Sequence, residues 1–154
     1  MTERPSERLA ALALTLPPPP QPAGSYAPLV VHRDLAWVSG QIVTQDKKVV
    51  SPGKVDADVP FETAQQLARR ATLQALSALA NGLGSIDRVQ RILRVGVYVA
   101  SSPGFVRQHE VGNGATDLLI AVFGESGRPA RASVGVPSLP LDAPVEIELW
   151  AALA

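Results

Sequence analysis

The stretch FETAQQLARRATLQALSALA, Phe61 to Ala80, decides the fold, because helical spacing appears there in a chain otherwise written largely in alternation. Phe61, Ala64, Leu67, Ala68, Ala71, Ala75, Leu76 and Leu79 trace one face of a helix, while Glu62, Gln65, Gln66, Arg69 and Arg70 lie off it. Asp58 offers a cap, Pro60 suits the first turn, and NGLG at Asn81 to Gly84 supplies a left-handed exit. The alanines on the apolar face let such a helix lie close to whatever it covers, and the flanking segments say that this is a sheet.

Upstream, YAPLVVH and LAWVSG are β-rich runs separated by the polar pair Arg33-Asp34, which predicts a hairpin. QIVTQDKKVVSPGKVDADVP then reads as a strand end and a surface loop. Downstream, RILRVGVYVA (Arg91 to Ala100) alternates, with Leu93, Val95, Val97 and Val99 on one side and Arg94, Gly96 and Tyr98 on the other. SSPGF breaks that run, and a second helix is predicted from about Phe105 to Phe123, weakened in its middle by Gly112 and Gly114. Two strands close the chain, Arg131 to Val136 and Val145 to Ala151, joined by the turn PSLPLDAP. The order β-β-(β)-α-β-α-β-β is that of an α+β domain with two helices packed on one face of a mostly antiparallel sheet. The other face, carrying Trp37 and Trp150, is then left to solvent, so a homo-oligomer with sites between subunits is expected.

Composition bounds the function. A chain of 154 residues that is 46% hydrophobic fits one domain, residues 1–154, with a core that needs no disulfide or metal. Fourteen basic residues balance fourteen acidic ones, so no global field draws nucleic acid or an anionic membrane. Without cysteine, a disulfide frame, a thiolate nucleophile and a thiolate-bound metal are excluded, and a cytoplasmic, reducing location is natural. Residues 1–23 read as a short helix, capped by Ser6 with Leu9, Leu12, Ala13 and Leu16 at helical spacing, followed by a proline-rich connector. LAALALTL is too short for a signal peptide and two glutamates dilute the positive start before it, and no run reaches the roughly 18 apolar residues of a spanning helix.

The chemistry concentrates in the closing strands. Parity puts Arg131, Ser133 and Gly135 on one face of the first, and Glu146, Glu148 and Trp150 opposite the greasy face of the second. If the two strands pair in regular antiparallel register with their greasy faces together, Arg131 and both glutamates share the surface not covered by helices. A guanidinium fork could there take a carboxylate bidentately while a glutamate orients a water. The same residues could equally be cross-strand ion pairs, and periodicity leaves both readings open.

PARASVGV followed by LPLDAPVEIE resembles the C-terminal signature of the RidA (YjgF-type, "endoribonuclease L-PSP") family. GSYAP at Gly24 to Pro28, VSGQI at Val38 to Ile42, and Asn113 stand where that family has its Gly-x-Tyr segment, its Ser-Gly-Gln strand end and the asparagine of its second helix. The longer N-terminus is similar to a branch described as chorismate-mutase-like. The resemblance implies a bacillary chorismate-mutase-type fold, a homotrimer with three clefts between subunits, and no metal or organic cofactor. It implies hydrolysis of reactive enamines and imines, such as 2-aminoacrylate, to 2-keto acids and ammonia. On that pattern Arg131 would clamp a small carboxylate-bearing metabolite and Glu146 would position or activate water, with Tyr26, Ser39, Gly40, Asn113 and Ser133 lining the cleft.

Ser133 stands where archetypal members often carry cysteine, and Pro137 where they carry a small or basic residue, which leaves the substrate open. A regulatory protein holding a carboxylate metabolite in the same cleft is the second reading. The third is an endoribonuclease using Arg88, Arg91 and Arg94, disfavoured because no stacking aromatics stand near them. His32 and His109 have no ligand spacing around them, so no metal is expected, and NGLG lacks the strand and lysine of a phosphate loop.

Overall fold

The anticipated helix, α2, spans Phe61–Leu83 in the computed structural model, which describes residues 3–154. Every alanine and leucine assigned to its inner face is buried, with Leu76 and Leu79 fully so. Each such leucine contributes about 1.5–3 kcal/mol of burial. Gly84 ends the helix in the left-handed conformation, at φ 79°. Asp58 does not cap it, since its Oδ2 accepts from the Lys54 amide at 2.9 Å and closes the preceding turn, while Pro60 occupies the cap position.

Five strands make the main sheet: β1 (Leu29–His32), β2 (Leu35–Gln41), β5 (Val89–Ala100), β6 (Ala130–Val136) and β7 (Val145–Leu153), in the order β1-β2-β7-β5-β6. β3 (Thr44–Gln45) and β4 (Lys48–Val49) form a small hairpin within the expected loop. α2 and α3 (Gln108–Phe123) cover one face of the main sheet, so the α+β class with two helices on one face of a mostly antiparallel sheet is what the chain adopts. The glycines inside α3 sit at close approaches, with the Gly112 Cα against Ser133 and Arg131 and that of Gly114 against the Gln65 backbone of α2.

Two expectations about the strands fail. The closing strands β6 and β7 are not neighbours. β7 lies between β2 and β5, antiparallel to both, and β6 pairs with β5 in parallel. The reason is the crossover, because β5-α3-β6 is a β-α-β unit whose helix returns the chain to run β6 alongside β5. Register then puts Arg131 beside Val95 and Ser133 beside Val97, both on the helix-covered side with Leu149 and Ile147. Glu146 and Glu148 pair with Tyr98 and Gly96 on the other side. Arg131 and the two glutamates therefore occupy opposite faces of one sheet, and the shared surface expected from regular antiparallel register does not exist within the chain. In β5 a register irregularity between Ile92 and Arg94 gives the inward place to Ile92, fully buried, and leaves Leu93 exposed.

The face that the helices leave open presents Val30, Val134 and Trp150, all exposed, with Trp37 registered opposite Trp150. At the N-terminus α1 (Pro5–Ala11) is short. Its cap is Arg4, in a reciprocal pair with Glu7, and not Ser6, whose amide and hydroxyl both donate to Asp87 at 2.8 and 2.7 Å. The helix starts at Pro5, two residues too early for Ser6 to cap it. Ala13, at φ 53°, then turns the chain, so Leu12 is exposed while Leu9 is buried and Leu14 and Leu16 pack on the core. The prolines run on as an extended segment tied to α2 by a 2.5 Å bond from Ser77 Oγ to the Pro17 carbonyl. No helix among the described residues is long and apolar enough to cross a membrane.

Candidate functional site

A cavity of about 450 Å³ opens where β2 ends and β7 begins. Tyr26, Gly40 and Glu146 are in its wall, closed by Pro20 and Pro22 of the N-terminal connector. The sheet builds this corner through a bulge. Val38 is opposite Leu149 and Gln41 is opposite Ile147, so three steps of β2 match two of β7, and the surplus lifts Gly40 over the acidic side chain. A Cβ at Gly40 would collide with the Glu146 carboxylate.

Glu146 is half-buried and accepts no hydrogen bond among the described residues. Burial pushes its carboxyl above the ordinary glutamate range, and the charge of Glu148 adds to the push. Glu148, unlike Glu146, is hydrogen-bonded: Arg94 Nη1 donates to its Oε1 at 2.9 Å and the Tyr98 hydroxyl at 2.8 Å. The Arg94 guanidinium also stacks over Trp150, 5.1 Å from the ring centroid. One glutamate is thus locked into a network and the other is left without a hydrogen-bond partner among the described residues.

The predicted residues separate into two groups. Tyr26, Gly40 and Glu146 share the cavity, with Tyr26 accepting a hydrogen bond from the Ala23 amide at 3.2 Å. Ser39 is beside them but its hydroxyl donates to the Ala27 carbonyl at 2.6 Å, which pins the incoming segment and does not face the cavity. Arg131, Asn113 and Ser133 cluster on the other side of the sheet. Arg131 Nη1 donates to Asn113 Oδ1 at 2.9 Å and to Thr116 Oγ1 at 3.1 Å, both neutral acceptors on α3. Arg131 has no carboxylate partner among the described residues, so the remainder of its fork is uncommitted. A Cβ at Gly112 would come within 3.3 Å of that nitrogen and 2.7 Å of Ser133 Oγ, so the glycine gives the guanidinium its room. Ser133 Oγ is buried without a hydrogen-bond partner among the described residues.

The cavity wall includes no lysine or arginine. Sequence reasoning missed the connector prolines, Gln74 of α2, and Pro140 and Leu141 of the last turn, all of which line it. The only available signal was the adjacency of the proline run to Tyr26. The basic trio does not form a stripe, because Arg94 is taken by Glu148 and Arg88 donates to the Leu83 carbonyl at 3.3 Å.

Comparison with known proteins bears on this geometry. Residues 6–153 match the profile of a family described as "YjgF/chorismate_mutase-like, putative endoribonuclease". Protein TCP17 of Trypanosoma cruzi is 39% identical over 146 residues, covering 94% of this chain and 91% of its own. A protein of Dermatophagoides farinae named 2-iminobutanoate/2-iminopropanoate deaminase is 27% identical, covering 88% and 91%. A solved structure from Shewanella oneidensis, named "a putative endoribonuclease", superposes with a TM-score of 0.92 at 29% identity over 98% of this chain and 100% of that one.

Proposed function

This chain belongs to the YjgF/chorismate-mutase-like family, and from that premise we propose that it hydrolyses small enamines and imines of 2-keto acids, releasing ammonia, in clefts between the subunits of a homotrimer. One observation carries the reading. The free acid, Glu146, sits in a cavity without a cation, while the uncommitted guanidinium of Arg131 stands on the opposite face of the sheet. A carboxylate-bearing substrate needs both, and two copies supply both: Glu146, Tyr26 and Gly40 from one, Arg131 with Asn113 and Ser133 from the next. The exposed Val30, Val134 and Trp150, with the part-buried Trp37 beside them, give that association an apolar face to bury.

The chemistry then asks little of the protein. Arg131 holds the substrate carboxylate through its fork. Glu146 takes a proton from water as the oxygen bonds to the imine carbon and passes it to the nitrogen, which receives the C=N π pair, giving a carbinolamine; it then takes the hydroxyl proton as the carbonyl forms and delivers it to the nitrogen as the carbon–nitrogen bond breaks. Keto acid and ammonia leave, and the carboxylate is regenerated. An enamine first takes a proton at carbon to become the imine. Because imines are electrophilic, positioning and one proton shuttle suffice.

The test is turnover of 2-aminoacrylate generated in situ, where wild type exceeds the buffer rate and Arg131→Ala does not; a wild type no faster than buffer rejects the proposal. The pH profile adds a second check. Glu146 works as a base only when ionised, and its folded-state pKa is raised, so the acid limb of kcat/KM lies above the ordinary glutamate value of about 4.3. Glu148→Gln removes the like charge and moves that limb to lower pH. An unshifted limb, or one moved upward, shows that another group sets it.

A further inference from the structure

A second hollow lies beside the Glu146 cavity. It is a groove of about 600 Å³ between the proline connector and the flank of α2, and it shares Pro20, Gln21, Thr44 and Gln74 with the cavity wall. Pro17 to Pro20 form one side, and Val43 and Leu73 add further apolar surface. The proline side is preformed. Each proline fixes its own φ, Leu14 and Leu16 just before them pack on the core, and the Pro17 carbonyl accepts from Ser77 Oγ at 2.5 Å.

Two cations line this groove, Lys47 and Arg70, and no acid does. Arg70 comes from α2, where helical spacing puts it on one side with Leu73 and Gln74. Lys47 comes from the β3-β4 hairpin, whose register leaves Asp46 and Lys47 as the two turn residues, both left-handed at φ 51° and 62°. Neither cation has an acidic partner within ion-pair reach among the described residues. A concave surface carrying one sign of charge on low-dielectric walls concentrates counter-ions, so this groove is complementary to a ligand that joins anionic charge to an apolar body. Charge and volume narrow the class. A phosphate monoester carries about −1.5 to −2 charge at pH 7, close to the sum of both cations reversed in sign, whereas a monocarboxylate matches only one. At a water's share of about 30 Å³ per heavy atom the groove holds about twenty, which admits a ring system with its phosphate and excludes a two-chain lipid.

We propose that this groove binds a small organic phosphate monoester with an apolar body, the phosphate held by Lys47 and Arg70 and the body lying on the proline wall. The site uses neither Glu146 nor Arg131 and so is independent of the hydrolase reading. None of Val30, Trp37, Val134 and Trp150 lines it, so assembly through the open sheet face does not draw on its wall.

Calorimetry of the full chain with 1-naphthyl phosphate is the test. Saturable binding is expected, tighter by about ten-fold or more than that of inorganic phosphate, which lacks the body, of 1-naphthol, which lacks the charge, and of 1-naphthylacetate, which carries a single charge. Lys47→Gln and Arg70→Gln each weaken it about ten-fold, while Lys48→Gln and Arg69→Gln, which remove the same charge from neighbouring positions outside the groove wall, change it less than about two-fold. Arg131→Ala leaves it unchanged. Equal affinity for inorganic phosphate, or an equal loss in Lys48→Gln and Arg69→Gln, overturns the site in favour of a general attraction for anions. Equal affinity for 1-naphthylacetate overturns the choice of a phosphate. Loss of binding in Arg131→Ala puts the ligand in the cleft between subunits and overturns the groove, and a wild type that does not bind 1-naphthyl phosphate rejects it outright. Turnover of 2-aminoacrylate is read separately, so either reading can fail while the other stands.

Discussion

Equal amounts of Arg131→Ala and Glu146→Gln subunits, each inactive alone, regain about one quarter of wild-type turnover when co-expressed. The figure follows from the geometry. Losing the guanidinium of a desolvated Arg131–carboxylate pair costs about 2–5 kcal/mol, about thirty-fold to several-thousand-fold in kcat/KM, and losing the proton shuttle at Glu146 costs about 10²–10⁴-fold, so each variant alone retains little activity. In the proposed homotrimer each cleft takes Arg131 from one copy and Glu146 from the next. Random assembly gives an intact Arg131 half the time and an intact Glu146 half the time, hence about one cleft in four with both. Were the two residues to act from one chain, no mixed assembly would contain an intact site and the mixture would stay as inactive as its parents. The prediction depends on one structural fact, the alignment of Arg131 with Val95 and Leu149 and of Glu146 with Tyr98, which puts them on opposite faces. Light scattering on the mixture, reading a trimer mass, excludes failed assembly as the cause of a null result.

That fact also marks where sequence reading stopped. Alternation along a strand reports which residues share a face of that strand, and it did so correctly for Arg131, Ser133 and Gly135 and for Val145, Ile147 and Leu149. It does not report which strand lies next to which. Pairing β6 with β7 because a turn joins them ignored the crossover, although the β-α-β order around α3 already implied a parallel pair. The error joined two correct faces on the wrong side of the sheet. The outward place of Leu93 was illegible for a related reason, since a bulge resets parity without changing residue type. α2 was legible because a long alanine-rich face against a sheet leaves a period that one irregular residue cannot mask. In the site, Tyr26, Gly40 and Glu146 were identified through motif resemblance, and the structure brings them to one cavity. Gln74 was not identified, because a glutamine on the flank of a helix looks like any solvated residue until the connector is seen to fold over it.

The glycines of α3 give the sharpest test of local propensity against packing. Propensity alone says that Gly114→Ala stabilises the helix by about 1 kcal/mol. Packing says the reverse, since a Cβ there would be driven into the Gln65 carbonyl oxygen and would lie 3.0 Å from that carbonyl carbon, all backbone of α2. Backbone inside a helix cannot rotate aside as a side chain can, so the two helices must separate. Overpacking of this kind costs about 1–3 kcal/mol and at times more, and the separation also strains the 2.7 Å bond from Gln65 Nε2 to the Glu110 carbonyl, worth about 1 kcal/mol. The net expectation is a loss of about 1–3 kcal/mol, read as a fall in Tm of about 2–12 °C by calorimetry. An unchanged or higher Tm would mean that α2 and α3 tolerate separation and that Gly114 is there for some other reason. The same displacement reaches the site, because α3 carries Asn113 and Thr116, the two acceptors that orient Arg131, on the turns flanking Gly114. Turnover should therefore drop even at temperatures where the variant is fully folded, with KM rising more than kcat falls, as expected when the carboxylate clamp is misaimed and the proton shuttle at Glu146 is left in place.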